Sequence, residues 1–204
     1  MSIALNRGEK LTADELRLIN KGEPMQKVRL DISWDFKPDI EVDWDGSIVL
    51  LGNDGMMWAD DSLVFYNKRE SNDGAIKHTG DNHEGVSECH DGDECDEIIL
   101  IDLSRVSVKT HTILAVLTLF LCNPNKGFDP IEVSANVKLY SEVPNGSQLL
   151  CSYDLREVIV PPPAMEMASL TRDGDGWSFQ TIGQGIDEGK SANGLVDVLR
   201  KYSR

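Results

Sequence analysis

Residues 113–121 read ILAVLTLFL, the most apolar stretch of the 204-residue chain. A helix needs roughly 20 apolar residues to span a bilayer, so this nine-residue run is too short to cross as one. Its length and its β-branched and leucine content predict a buried strand. Because 40% of the chain is hydrophobic, there is enough apolar surface to build a sizeable core around that strand.

Other short segments on both sides of this run also have the character of strands. They are 28–34 (VRLDISW), 47–51 (SIVLL), 62–66 (SLVFY), 97–103 (EIILIDL), 131–140 (IEVSANVKLY), 149–155 (LLCSYDL) and 177–183 (WSFQTIG). Several alternate with a period of two, and turn signals such as NDG at 53–55 and PNG at 144–146 separate them. The pattern predicts an all-β chain, an antiparallel sandwich or barrel, with 1–204 as a single domain.

Two segments are candidates for helices. Residues 12–19 (TADELRLI) have Thr12 and Glu15 in capping-box spacing, although so short a segment is also compatible with an extended strand. Residues 191–203 (SANGLVDVLRKYS) place apolar residues at helical spacing and basic residues in the last turn, which predicts a short C-terminal helix. The IGQG at 182–185 is interpreted as a turn before that helix.

The charge of the chain excludes some partners. A formal net charge of -15 and a pI near 4.6 argue against nucleic acid, because that binding relies on Lys and Arg displacing counterions from phosphate. No stretch predicts a membrane span or a secretory signal, so we expect a cytoplasmic protein. Four cysteines are few for a disulfide scaffold, and Cys122 and Cys151 are expected to be reduced core residues.

Two clusters of carboxylates stand out from this background. In the segment 35–47 (DFKPDIEVDWDGS) acidic residues occupy positions 39, 41, 43 and 45, so on a strand they would share one face while Trp44 lies on the other. The stretch 80–97 (GDNHEGVSECHDGDECDE) holds eight carboxylates in eighteen residues without a Lys or Arg. Neighbouring like charges repel, so a row of uncompensated carboxylates destabilises its strand.

A bound hard cation would remove this repulsion. Calcium takes about six to eight oxygen ligands with tolerant geometry, which irregular loops rich in Asp, Asn and Gly can supply. Magnesium, which needs stricter octahedral geometry, is the second choice. An EF-hand is excluded, because a motif begun at Asp91 meets Cys95 where the third ligand should be. On composition alone, a solvated acidic surface is an equally good reading.

The order of several motifs resembles the TerD family of bacterial tellurite-resistance and general stress proteins. The matching segments are 5–11 (LNRGEKL), 28–35 (VRLDISWD), 43–51 (DWDGSIVLL), 63–85 (LVFYNKRESNDGAIKHTGDNHEG), 96–103 (DEIILIDL) and 177–185 (WSFQTIGQG). The HTGDN followed by an acidic stretch is the most specific of them. The resemblance implies a β-sandwich of two mainly antiparallel sheets with loops like those of C2 domains, and a calcium-binding role in stress and tellurite resistance.

The same resemblance implies which residues hold calcium, with two ions expected. The implied ligands are Asp43 and Asp45, then Asp81 and Asn82, then Asp96 and Glu97. The family's compact acidic motif is expanded here, with Cys95 in place of its first Asp, so Asp91 or Asp93 is expected to supply the missing oxygen. Gly46 also departs from the family, which prefers Ala there. Implied partners are other stress and tellurite-resistance proteins, within a membrane-proximal complex.

An alternative chemistry in the second cluster uses Cys89 and Cys95, which lie near His83 and His90 in sequence. Thiolate and imidazole ligands select zinc and other soft metals, and a pair of accessible thiols can also sense oxidants. The alternative prediction is therefore a redox or soft-metal sensor. No nucleophile elbow or phosphate loop is present, so the sequence predicts a protein that is not an enzyme.

Overall fold

A computed structural model describes residues 2–35, 43–80, 87–88, 94–95, 97–120, 131–144, 146–159, 164–186 and 193–204. Within them, the strands are β1 (Ile3–Leu5), β2 (Lys10–Leu11), β3 (Lys27–Asp35), β4 (Asp43–Leu51), β5 (Leu63–Val64), β6 (Ile76–His78), β7 (Ser87–Glu88), β8 (Glu94–Cys95), β9 (Glu97–Asp102), β10 (Thr112–Phe120), β11 (Ile131–Val143), β12 (Gly146–Ile159), β13 (Ala164–Asp173) and β14 (Gly176–Ile186). The helices are α1 (Ala13–Ile19) and α2 (Gly194–Tyr202).

These strands form two six-stranded sheets. Sheet I has the order β1-β12-β11-β3-β9-β6, and sheet II has the order β2-β14-β13-β10-β4-β5. Strands β7 and β8 form a small ladder of their own. Neighbours pair antiparallel throughout both sheets, except that β1 pairs parallel with β12. The predicted sandwich of two mainly antiparallel sheets with a short C-terminal helix is confirmed.

The apolar run at 113–121 is explained by the two covered faces of sheet II. Facing sheet I are Ile113, Ala115 and Leu117, and facing α2 are Leu114 and Val116. A strand covered on both faces needs apolar residues at successive positions, which is why this run shows no polar alternation. Burial of this kind is worth about 2–5 kcal/mol for each leucine, measured as the cost of truncation to alanine.

Both helices form where the sequence predicts them. Thr12 caps α1, and the Glu15 side chain accepts from the Thr12 backbone, so the capping box is complete and the extended alternative is wrong. In α2, Asn193 is the N-cap, and Val198 and Tyr202 are buried against the outer face of sheet II. The interpretation of IGQG as a turn is wrong, because these residues lie inside β14. None of the described helices has the length and apolarity to cross a bilayer.

The strand registers define two ends of the sandwich. The acidic end holds the strand ends Asp35, Asp43, His78, Glu97, Phe120, Ile131, Ile159, Ala164 and Ile186. The anchored end holds the strand ends Lys27, Leu51, Ile76, Asp102, Thr112, Val143, Gly146, Asp173 and Gly176. Both predicted acidic clusters therefore adjoin the same end, since one leads into β4 and the other into β9.

Candidate metal centre at the acidic end

The predicted ligands fall into three groups. Asp45 and Glu97 are described with their side chains, at the beginnings of β4 and β9. Asp43 and Cys95 are described by their backbone alone, in β4 and β8. Outside the described residues lie Asp81, Asn82, Cys89, Asp91, Asp93 and Asp96.

Glu97 connects the two sheets at this end. Although it belongs to β9 of sheet I, its Oε2 accepts a hydrogen bond of 2.5 Å from the backbone N–H of Gly46 in β4 of sheet II. The residue is only 2% exposed, so its carboxylate lies in the space between the sheets. A buried carboxylate must be compensated by donors, and a backbone N–H on the facing sheet is one such donor.

Gly46 makes this contact possible because it has no side chain. A Cβ at this position would overlap Glu97 Oε2, and it would also lie 3.3 Å from Glu97 Cδ and from Ile32 Cδ1. The carboxylate therefore occupies the space that the side chain of any other residue would need. Here Glu97 fills the place of the alanine methyl group that the family resemblance leads one to expect.

His78 completes a buried trio with Gly46 and Glu97. Its Nε2 lies 3.1 Å from the Gly46 carbonyl oxygen and 3.3 Å from Glu97 Oε2, and its Nδ1 accepts from the Gly80 N–H at 3.1 Å. Because Nδ1 is an acceptor, this network assigns the proton of the neutral ring to Nε2. Both ring nitrogens are thereby engaged within the protein.

The ionisation of His78 reflects two opposing influences. Burial lowers the pKa of the imidazole, but the hydrogen bond and the negative charge of Glu97, together with the Gly46 carbonyl, raise it above the ordinary value overall. The positive charge of Arg69 works weakly in the opposite direction. The net effect is a raised pKa, although protonation would place a hydrogen on Nδ1 and break the hydrogen bond from the Gly80 N–H.

Asp45 lies on the other side of β4 from Glu97. Side chains alternate along a strand, and Trp44 and Ile48 lie in the core between the sheets, as Gly46 does. Asp45 therefore shares the outer face with Val49, on the side that α2 covers. It is 7% exposed, and its carbonyl accepts from Thr118 Oγ1 at 3.3 Å. The predicted alternation of Trp44 with the acidic residues is correct at this position.

The residues that the structure describes do not form a complete metal site. Among these residues no three His, Cys, Asp or Glu side chains are grouped so that they could hold a metal ion. The donors at hand are carboxylate oxygens from Asp45 and Glu97, and oxygen donors suit calcium, not a soft metal. Because these two side chains lie on opposite sides of β4, they do not by themselves form one site.

Sequence reasoning did not identify the roles of His78 and Gly46. In the sequence, His78 is one of four histidines that offer a candidate base or soft-metal ligand, and Gly46 is only a departure from the alanine that the family prefers. The signal lies in a combination of three features: a histidine in a buried strand, a Glu at the start of a strand, and a glycine whose position faces the core. Recognising it requires knowing that β6, β9 and β4 meet at one end.

Comparison with known proteins gives consistent matches. Residues 1–202 match the TerD domain. The chain is 29% identical to the tellurium resistance protein TerD of Serratia marcescens, over 99% of this chain and 97% of that protein. It is 30% identical to general stress protein 16U of Bacillus subtilis, over 93% of each.

The fold has solved counterparts as well. A homologue of the telluride resistance protein from Streptomyces coelicolor superposes with a TM-score of 0.54 at 20% identity, over 81% of this chain and 93% of the other. A second solved structure, of a protein of unknown function, also has a TM-score of 0.54, at 17% identity, covering 85% of this chain and 98% of that one.

Proposed function

The chain belongs to the TerD domain family, and from that premise we propose that it is a stress-response protein whose acidic end binds calcium and then serves as an interaction surface. The relatives named above act in general stress and in tellurium resistance. We extend that role to this chain. The proposed partners are other stress and tellurite-resistance proteins, within a membrane-proximal complex.

One observation above all supports calcium binding: the 2.5 Å contact between Gly46 N–H and Glu97 Oε2. Asp45 immediately precedes Gly46, and Glu97 immediately follows the acidic stretch 81–96. The contact therefore holds two carboxylate-rich segments, distant in sequence, at the same end of the sandwich. Repulsion between them favours uptake of a divalent cation.

The proposed ligands come from both segments. They are Asp43 and Asp45 from β4, and Asp81, Asn82, Asp91, Asp93, Asp96 and Glu97 from the second segment. Bound calcium would supply positive charge that offsets the repulsion of these carboxylates. Asp45 lies on the outer face of β4, whereas Glu97 of β9 contacts the inner face of β4. We therefore assign two ions, one to each face.

The proposal is not an enzymatic one. His78, the buried histidine at this end, has both ring nitrogens hydrogen-bonded within the protein, so it is poorly placed to move protons for a substrate. We also propose a cytoplasmic location, where Cys151, a free and buried thiol, stays reduced.

Calorimetric titration of the chelator-stripped protein with calcium tests the proposal. We expect heat of binding in the wild type and a large loss of affinity in Asp43→Asn, Asp45→Asn and Asp81→Asn. The matched control is Asp175→Asn, which removes the same charge from an exposed position in the turn between β13 and β14. The absence of binding at millimolar calcium, or an equal loss in the control, would contradict it.

The same titration separates calcium binding from the alternative, a redox or soft-metal sensor at Cys89 and Cys95. The double variant Cys89→Ser/Cys95→Ser should bind calcium as the wild type does. If instead it loses calcium binding, or if the wild type takes up zinc in preference to calcium, the thiol prediction gains the support that it now lacks.

A further inference from the structure

We propose that a cleft at the anchored end binds a small organic cation, an alkyl amine or an alkyl guanidine. The cleft lies between α1 and the turn that joins β13 to β14, and its volume is about 350 Å³. Every residue that lines it belongs to the described part of the chain. Small-molecule sites have volumes of about 300–1,000 Å³, so this cleft suits a ligand at the small end of that range.

The walls of the cleft are held in place by the protein itself. Asp173, the last residue of β13, accepts through Oδ2 from the Ala13 N–H at 3.1 Å, which ties this turn to α1. The two walls also pack closely, since a Cβ at Gly176 would lie 2.8 Å from the Ala13 Cβ. At the far end of α1, Arg17 Nε donates to the Gly22 carbonyl at 2.8 Å. Because the site is preformed, a ligand pays little to order it.

The charged groups that line the cleft favour a cation. They are the carboxylates of Asp14, Asp173 and Asp175 and a single guanidinium, that of Arg17. Among the residues that the structure describes, none of these three carboxylates forms an ion pair with a cation of the chain. An ammonium or guanidinium group placed between them would gain charge-assisted hydrogen bonds.

An anion is disfavoured at the same place. The start of a helix can attract anions through free backbone N–H groups. In α1, however, the N–H groups of Ala13 and Glu15 already donate to the side chains of Asp173 and Thr12. The first turn also carries the carboxylate of Asp14, which would repel an anion. The backbone of this turn therefore does not reverse the preference for a cation.

The apolar part of the lining explains why the ligand should carry an alkyl chain. Met25 is partly buried against the core, and Trp177 is only 5% exposed. The Arg172 guanidinium already lies over the Trp177 ring, 4.6 Å from its centroid, so a second cation on this ring would be repelled. The charged group of the ligand should therefore bind the carboxylates, while its methylene groups contact Met25 and Trp177.

Titration with cadaverine, a five-carbon diamine, tests the proposal when it is followed by amide NMR spectra in chelator and about 0.15 M salt. We expect saturable shifts of the amides of Ala13, Gly174 and Gly176, which line the cleft. Shifts confined to residues 35–47 and 80–97 would mean a non-specific attraction to the acidic segments and would overturn the proposal. The absence of any saturable shift would overturn it as well.

The double variant Asp14→Asn/Asp173→Asn removes two of the carboxylates and keeps an oxygen that can accept from the Ala13 N–H. It should weaken cadaverine binding about tenfold, since each charge pair at a partly exposed site is worth up to about fivefold in affinity. The matched control is Asp60→Asn/Glu70→Gln, which removes two exposed carboxylates from the connections between β4 and β6, outside the cleft. An equal loss in this control would contradict the proposal.

Three further probes define the chemistry of the ligand. Pentanediol has the same chain without charge, and glutarate has the same chain with two carboxylates, so neither should bind appreciably. If glutarate binds as tightly as cadaverine, Arg17 is the anchor and the assignment to a cation is wrong. Tighter binding of Nα-acetyl-lysine amide, which mimics a lysine side chain of a protein, would overturn the assignment to a free small molecule. All these measurements are made without calcium, so their failure leaves the proposed function untouched.

Discussion

The two ends of the sandwich satisfy their charges in different ways. At the anchored end, the Arg172 guanidinium donates to three backbone carbonyls, those of Thr110 at 2.8 Å and of Val106 and Ser107 at 3.2 Å. The same group lies over the Trp177 ring, 4.6 Å from its centroid. One cation of the chain thereby fixes the segment that joins β9 to β10.

An anion of the chain fixes the same segment. Asp73 accepts from Ser107 N–H at 2.8 Å through Oδ2, and from Ala75 N–H and the Ser71 hydroxyl through Oδ1. Arg172 and Asp73 thus serve as partners for backbone groups that would otherwise lack one.

The acidic end is organised otherwise. Its described cross-sheet contact depends on one carboxylate, Glu97, and on His78, while the neighbouring segments are rich in further carboxylates. The difference teaches that one end of a sandwich can be fixed by charged groups of the chain itself, whereas the other end, on the proposed function, is completed by an external cation. Each prediction below tests whether that division holds.

The largest effect is expected at the anchored end. Arg172→Ala leaves three carbonyls without their donor and exposes the Trp177 face, so we expect a loss of about 3 kcal/mol in the free energy of unfolding. Urea denaturation measures it. The loss should be the same in chelator and in saturating calcium, because the ion acts elsewhere.

Arg172→Lys is the matched variant for this test. Lysine keeps the charge but not the planar fork that reaches several carbonyls, so it should recover only a minor part of the stability. If calcium restores Arg172→Ala to wild-type stability, the two ends are coupled and the contrast between them is wrong.

A smaller effect is expected from Glu97→Ala at the acidic end. Without metal, it removes an acceptor from Gly46 N–H and a partner from His78, at a cost of about 1–3 kcal/mol. Unlike the anchored-end variant, it should lose more stability relative to wild type in calcium than in chelator, since a proposed ligand is missing. Urea denaturation under both conditions gives the comparison.

The control here is Glu97→Gln, which keeps an acceptor oxygen of similar size. It should retain most of the metal-free stability while still binding calcium weakly. Were Glu97→Ala as stable as wild type in chelator, the cross-sheet contact would be of no structural importance.

The sequence predicts the local structure of this fold better than the contacts at its two ends. Local patterns were sufficient for the strands, for the capping box at Thr12 and for the face that Trp44 shares with the core, because each depends on neighbours in sequence. The IGQG interpretation failed because glycines inside a long strand look like a turn. One of them, Gly183, has φ +65° and lies so close to Tyr153 that a Cβ would overlap its hydroxyl.

The contacts that define each end were beyond sequence reasoning. Glu97 and Gly46 are 51 residues apart, and Arg172 is 62 residues from Thr110. Which strands face one another across a sandwich is decided by the pairing of whole sheets, so a single sequence cannot indicate these partners. The carboxylate clusters were visible in the sequence because they depend on composition, whereas the contacts of His78 with Gly46 and Glu97 were not.

The smallest expected effect is the dependence of stability on acidic pH, which tests the contribution of the anchored end. Burial by itself raises the pKa of the Asp73 carboxyl, but its hydrogen bonds from Ser71, Ser107 and Ala75 outweigh this and hold the pKa below the ordinary value of 3.8. A carboxyl whose pKa is lower in the folded state than in the unfolded state stabilises the protein at pH values above its unfolded pKa. That stabilisation is lost as the pH falls through the folded-state pKa. The contribution of Asp73 to the free energy of unfolding should therefore be unchanged at pH 5 and decrease only below about pH 4.

Asp73→Asn should lower stability at neutral pH by about 1 kcal/mol and flatten the decline in acid, as measured by urea denaturation in chelator from pH 7 to pH 3. The comparison variant is again Asp175→Asn, whose exposed carboxylate lies in the nearby turn of β13 and β14. It should follow the wild-type curve. A steep acid decline that persists in Asp73→Asn would mean that the loss of stability begins at the carboxylates of the acidic end, and that the anchored end contributes little to the acid response.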